Sequence, residues 1–400
     1  MALVALADVT YRFATPSLAL MGLGCSREAG AQIKALGAQH VLLVTDKGIM
    51  KLGLVDQIEA QLESAGLQVT VFDGVEPDPS ERNVHAGASV YLASQCDALV
   101  SLGGGSSHDC AKGIGMVVSS GGDILDYVGI DKLKKRLPPF VAINTTAGTG
   151  SEATRTAVIT NSETHVKMLI VDARCLPAVA MNDPRLMVGM PAALTAATGM
   201  DALTHAVETY VALPSTLVTD ALAIQAIKVI ARWLRPAVAN GNNLEARDKM
   251  AYAAYMAGMA FANGRVGCAH GIAHQLGRYG IPHGILCAVL LPCVCEYNLI
   301  AAPEKYAEIA AAMGERIEGL TVMEAAARTP VAIRRLNKDI GIAANLTELG
   351  VKETDAEMVA SGAMNDLTRT TNPRQPVPLE EMLILVRTAM GTPLGKAAGA

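Results

Sequence analysis

The hydrophobic pattern changes period once along this chain, and that change constrains the fold more than any other feature. Up to about residue 183, short β-branched runs alternate with longer amphipathic stretches. Val41-Leu42-Leu43-Val44-Thr45 is followed by an amphipathic segment over 51–65 and then by Val69-Thr70-Val71-Phe72. Ala98-Leu99-Val100-Ser101-Leu102 and Phe140-Val141-Ala142-Ile143-Asn144 continue the series, each ending in small or polar residues. Strands separated by helices in this way predict a mostly parallel sheet covered by helices. From Pro184 onward the β-branched runs stop, and segments 192–212, 219–239 and 244–262 have helical length and apolar spacing. The expected fold is α/β followed by all-α. Because 400 residues exceed one ordinary core, two domains are expected, 1–183 and 184–400, with the junction at Asn182-Asp183-Pro184.

Composition narrows the partners. Hydrophobic residues make up 51% of the chain and charged residues 18%, yet long apolar runs are interrupted by charge, glycine or proline, so no membrane span is expected. The apolar excess is assigned to core and to contact between copies, a homo-oligomer of two or more subunits. A net charge of −5 argues against a nucleic-acid surface. Residues 1–20 lack the pattern of an export signal, and a cytoplasmic protein is expected. The eight cysteines show no paired CxxC spacing and read as buried thiols in a reducing compartment. Cys293-Val294-Cys295 alternates within an apolar run and reads as packing. The small-residue tail 395–400 is expected to be disordered.

Two loops at strand ends carry the first chemical signal. Gly103-Gly104-Gly105-Ser106 follows the strand ending at Leu102 and opens a helical segment over 107–117, with Asp109 and Lys112 on its first turns. Bare backbone at a helix start suits a diphosphate, although the spacing is not the GxGxxG of the commonest dinucleotide fold. Thr145-Thr146-Ala147-Gly148-Thr149-Gly150-Ser151-Glu152 follows the next strand and offers hydroxyls at the same sheet edge, where ligands of open α/β sheets bind. Asp46 closes an earlier strand. It either accepts hydrogen bonds from ribose hydroxyls, favouring NAD over NADP, or caps the helix that follows.

The second signal lies in the helical half. Asp201 and His205 stand four residues apart on a helical stretch and share a face. His270 and His274 repeat that spacing, and His283 heads the next helical run. Three imidazoles and a carboxylate in an apolar helical domain are costly to bury without a cation, and an N₃O set suits Zn²⁺ or Fe²⁺. Gly271 stands where HExxH metalloproteases need glutamate, so the general base of that chemistry is missing.

The residues 103–112, 145–152, 195–206 and 270–283, in this order over almost the whole chain, resemble the iron-containing, group III alcohol dehydrogenases, especially the bacterial methanol and 1,3-propanediol dehydrogenase branch. Asn372-Pro373-Arg374 adds to the match. The resemblance implies a metal-dependent oxidoreductase that moves a hydride between a small primary alcohol or its aldehyde and NAD. It implies a cleft between a nucleotide domain and a helical metal domain, with Asp201, His205, His270 and His283 as ligands of a divalent metal. Fe²⁺ is the first expectation, with Zn²⁺, Ni²⁺, Co²⁺ or Mn²⁺ also compatible. His274 is expected beside the metal but unbound, as a proton relay or a hydrogen-bond partner. The implied NAD site comprises Asp46, Gly104, Gly105, Ser106, Asp109, Thr145, Thr146, Thr149, Thr154 and Lys167, while Thr156 and Phe261 border the substrate. The loop before His283 is one residue shorter than usual in the family, Asp78 replaces the usual asparagine near the cofactor, and Cys293 stands where many members carry histidine. Glycerol dehydrogenase-like or maleylacetate reductase-like activity on the same scaffold, and a non-catalytic metal-binding oligomer, are the competing readings.

Overall fold

A computed structural model of the chain describes residues 10–392 apart from 165 and 377; the tail at 395–400 lies outside the described residues. The strands are β1 (Leu18–Met21), β2 (His40–Asp46), β3 (Gln68–Val75), β4 (Ala98–Gly103), β5 (Gly129–Ile130), β6 (Phe140–Asn144), β7 (Thr156–Thr160), β8 (Lys167–Val171) and β9 (Val179–Asn182). Six of them form one parallel sheet in the order β1-β9-β6-β4-β2-β3. Helices Leu54–Ser64, Glu81–Ala93 and Gly105–Ser120 make the crossovers that parallel pairing requires. The segment 51–65 is not one helix as its pattern suggests: Gly53, at φ 70, separates Lys47–Lys51 from Leu54–Ser64.

Both faces of the sheet are covered, which is why its strands read as nearly continuous apolar runs. Leu42, Val44, Leu99, Phe140 and Ala142 enter one buried cluster. Their alternating neighbours Val41, Leu43, Val100, Val141 and Ile143 enter the other. A second, three-stranded sheet in the order β5-β8-β7 includes the antiparallel hairpin of β7 and β8, which the alternating βαβ reading does not anticipate.

Among the described residues, no strand follows Asn182. Helices Ala192–Val211, Leu217–Ala239, Leu244–Gly264 and His283–Asn298 dominate a third apolar core. The stretch His283–Ala301 is long and apolar enough to cross a membrane, with a mean hydropathy of 1.9, but 72% of it is buried inside the protein. Cys293 and Cys295 lie in this core.

The two parts meet through the loop after β6. Gly150 has φ 61, and a Cβ on it would sit 2.6 Å from the Gly258 Cα on helix Leu244–Gly264, so the backbones touch only because both positions lack side chains. Beside this contact, the fully buried Glu152 receives Asn144 Nδ2 on Oε1 at 3.3 Å, while its Oε2 has no partner. Burial pushes the Glu152 carboxyl from 4.5 up to about 7, against the pull of the backbone and of the neighbouring Asn182 amide. Between those values the unfolded chain has already released a proton that the folded chain retains, so stability falls as pH rises. Glu152→Gln should remove that slope. By denaturant titration it should be more stable than wild type at pH 8 by roughly 3 kcal/mol, with the gain mostly gone at pH 5; parallel pH dependences in the two proteins would contradict this.

Candidate metal centre and nucleotide loops

Three helices bring the carboxylate and imidazoles together. Asp201 and His205 lie one turn apart on Ala192–Val211, both buried. His270 and His274 lie on Cys268–His274, and His283 opens His283–Asn298. Gly284 permits the approach, because a Cβ there would collide with the Ala197 carbonyl oxygen and lie 3.2 Å from the Asp201 Cβ. Despite its short preceding loop, His283 reaches the cluster.

Asp201 Oδ1 is 3.8 Å from His270 Nε2 and 3.8 Å from His283 Nε2. These gaps are too long for hydrogen bonds and near the roughly 3.4 Å between two ligands on a tetrahedral ion with bonds of ~2.1 Å. Cys287 Sγ, 3.5 Å from His283 Nε2, completes a group of four donor atoms, from Asp201, His270, His283 and Cys287, all within 4.8 Å of one another. His205 stands beside this group, its ring stacked on Phe261 at 4.1 Å and on His270 at 4.6 Å. Asp201 Oδ1, His270 Nε2 and His205 Nδ1 are buried without hydrogen-bond partners. Each such atom costs about 1–3 kcal/mol when left alone. A divalent cation among them removes that cost, so the residues present fit the metal that the resemblance implies.

The electrostatics of His205 and His283 favour the same use. Burial, reinforced by the neighbouring His270, holds His205 and His283 well below the usual histidine range, leaving neutral imidazoles with lone pairs to give. Burial raises the Asp201 carboxyl to about 6, offset by His270 and Lys167. His270 moves the other way: burial opposes its charge, but Cys287 and Glu208 outweigh it. Glu208 anchors that ring, with Oε2 2.6 Å from His270 Nδ1 and Oε1 accepting from the Ala269 N–H at 2.6 Å, which turns Nε2 toward Asp201. His274 Nδ1 lies 2.8 Å from Asp366 Oδ2, and its ring faces that of His283 at 5.7 Å.

The nucleotide loops line the carboxyl end of the sheet. β2 leads outward to β3 while β4 leads the other way to β6, so the crevice between β2 and β4 is the topological switch point at which such sheets bind ligands. Asp46 and the glycine loop flank it. Gly104 precedes helix Gly105–Ser120, which has no side-chain cap, and Ser106 stands in the first turn. Thr146 and Thr149 pack against Gly104 and Gly105, and the Thr145 N–H donates to the Gly103 carbonyl at 2.9 Å. Asp46 Oδ1 accepts from the N–H groups of Gly48 and Ile49 at 2.7 and 3.0 Å, which is the cap reading.

Asp109 and Thr154 serve an internal network. The buried Lys112 ammonium donates to the Ser151 carbonyl, Ser151 Oγ, Thr154 Oγ1 and the Thr156 carbonyl at 2.6–3.1 Å. Asp109 accepts from Ser151 Oγ at 2.6 Å and the Val158 N–H at 3.0 Å. Lys167 Nζ pairs with Asp78 Oδ1 at 2.7 Å, and Asp78 holds φ 52, a conformation that Asn and Asp tolerate better than most residues. Cys287, Glu208 and Asp366 were not among the residues singled out from sequence. The i, i+4 spacing that pairs Asp201 with His205 also pairs His283 with Cys287 and offered a route to it. Asp366 carried no comparable local signal.

The fold and this centre define a class, and comparison with known proteins identifies it. Residues 16–184 match the iron-containing alcohol dehydrogenase family model, and residues 195–390 match the C-terminal model of the Fe-containing alcohol dehydrogenase family. The chain belongs to the iron-containing alcohol dehydrogenase family. It is 52% identical over 368 residues to 1,3-propanediol dehydrogenase of Klebsiella pneumoniae, covering 91% of this chain and 95% of that one. It is 50% identical over 363 residues to the NAD-dependent methanol dehydrogenase of Bacillus methanolicus, covering 90% and 95%. The crystal structure of 1,3-propanediol oxidoreductase matches with a TM-score of 0.94 at 52% identity, covering 95% of this chain and 100% of that one.

Glu208→Gln keeps the packing but removes the charge that anchors His270. Its affinity for zinc, measured by competition with a chelating dye, should fall about 10–100-fold while the circular dichroism spectrum is unchanged; undiminished affinity would mean that Glu208 does not orient a ligand.

Proposed function

We propose that this chain is a metal-dependent alcohol dehydrogenase that transfers a hydride between a small primary alcohol and NAD, reversibly with the aldehyde. The observation that carries the reading is the set of unpartnered donor atoms on Asp201, His270 and His205, buried where the helical part meets the loop 145–152. A Cβ on Gly148 would lie 2.5 Å from Thr198 Cβ, one turn before Asp201, so the sheet edge and the donor cluster share a border. Relatives named for methanol and 1,3-propanediol favour small substrates of the methanol, ethanol, butanol or propanediol class. Two domains, 1–183 and 184–400, with the site in the cleft between them, fit the separate cores.

Asp201, His205, His270 and His283 would hold the metal, Fe²⁺ first among the candidates. When bound, such a cation supplies Lewis acidity toward an alcohol or carbonyl oxygen, and NAD supplies the hydride acceptor. The work of this chain is placement. The glycine loop and the uncapped helix start would receive the diphosphate, with Thr145, Thr146 and Thr149 beside it, while Asp46 would accept from the ribose. Asp109 and Thr154 act through Lys112 to hold the loop, and Lys167 brings positive charge toward Asp201 and His283. Thr156 and Phe261 would border the alcohol carbon, and Phe261 also fixes the His205 ring. His274, half-buried and backed by Asp366, would carry the released proton toward solvent. Eight free thiols suit a cytoplasmic protein. Exposed Leu213, Leu217 and Val218 suit a homo-oligomer.

Elemental analysis paired with NAD reduction across methanol, ethanol, butanol and propanediols tests the reading; metal-replete protein that reduces no NAD with any of them would sink it. Asp201→Ala should lose metal and turnover together, and stoichiometric metal with wild-type turnover would remove Asp201 from the ligands. His274→Ala should keep its metal but lose a limb of the pH–rate profile; an unaltered profile would end the relay role.

A further inference from the structure

Cys287 stands one turn after His283 on helix His283–Asn298, so the two side chains share a face. The contact at Gly284 presses that face onto Asp201. Cys287 Sγ is fully buried, free of any disulfide, and 3.5 Å from His283 Nε2. Its sulfur lies within 4.8 Å of the donor atoms of Asp201, His270 and His283. Two of those atoms, Asp201 Oδ1 and His270 Nε2, are themselves buried and unpartnered, an independent sign that a cation belongs among them. Other buried cysteines, such as Cys110 and Cys295, lie in apolar clusters and behave as small hydrophobes; Cys287 shares the core of Cys295 and differs in its polar neighbours. Among the described residues, only Cys287 joins a close group of carboxylate and imidazole donors.

We propose that Cys287 is a direct sulfur ligand of the metal, which turns an all-nitrogen-and-oxygen set into a mixed N, O, S set. A thiolate is a soft donor, so the centre should discriminate against Mn²⁺ and in favour of Zn²⁺ and Co²⁺ more sharply than imidazoles and a carboxylate alone would. With His205, stacked on Phe261 and His270, kept among the ligands of the proposed function, the sulfur is a fifth donor beside Asp201, His270 and His283. The inference rests on the metal centre of the proposed function, but not on its substrate.

X-ray absorption on the zinc-loaded wild-type protein tests it directly. A sulfur shell at about 2.3 Å is expected beside the nitrogen and oxygen shell at about 2.0–2.2 Å; a pure nitrogen and oxygen shell overturns the proposal. With cobalt(II), the wild type should show near-ultraviolet sulfur-to-metal charge-transfer absorption that Cys287→Ser lacks while its visible ligand-field bands persist. The same variant should lose at least about tenfold in zinc affinity relative to manganese, and an unchanged ratio counts against ligation. Bound metal without sulfur defeats this inference alone. Failure to bind any cation defeats the metal centre with it, and NAD reduction measured on the same sample reports separately on the alcohol chemistry.

Discussion

The cost of keeping polar donor atoms dry organises the helical half of this molecule. Its core is built largely of alanine, leucine, valine and isoleucine, surroundings in which an unpaired carboxylate or imidazole is expensive. Asp201 and His270 are nevertheless buried there with an atom each left unpartnered. Everything around them limits that cost on one side and leaves it open on the other. Glu208 satisfies the far nitrogen of His270, the ring stack with Phe261 and His270 confines His205, and Gly284 lets the start of a helix close on Asp201. The outcome is a cluster in which Asp201 Oδ1 faces His270 Nε2 and His283 Nε2 at distances suited to a shared ion rather than to hydrogen bonds.

The second organising element is the loop 145–152, a hinge point of contact rather than a flexible connector. Thr146 and Thr149 meet the glycine loop, Gly150 meets Gly258, and Lys112 ties Ser151, Thr154 and Thr156 to the helix that starts at the sheet edge. A buried ammonium with this many acceptors is satisfied, so the loop is held from both sides. That arrangement brings the switch point of the sheet next to the helix carrying Asp201, and the charge of Lys167 is felt at both Asp201 and His283. Some residues with a cofactor role in the resemblance also have structural work: the glycines make room for threonines, and Asp46 caps a helix.

Much of this was legible in residue order. The change from short β-branched runs to helical spacing near residue 183 marks where the last strand ends, since strand and helix each impose their own length and spacing on buried residues. The i, i+4 pairs Asp201/His205 and His270/His274 were visible because helices repeat locally. The hairpin of β7 and β8 was not, because its short strands sit within a segment already read as part of an alternating series. Gly53 is not legible as a break, because one glycine is a weak signal inside an amphipathic stretch.

The sequence alone determined the two kinds of structure, the strand ends that carry glycine and threonine loops, and the helices that carry the candidate ligands, because each of these follows from local spacing. Only the tertiary structure decided that Cys287 stands with Asp201, His270 and His283, that Glu208 and Asp366 back two of the histidines, and that Lys167 is paired with Asp78. Those pairings join residues as much as 92 positions apart. They depend on how helices and loops dock, which is set by close packing at sites such as Gly150 and Gly284 and leaves no periodic trace in the chain.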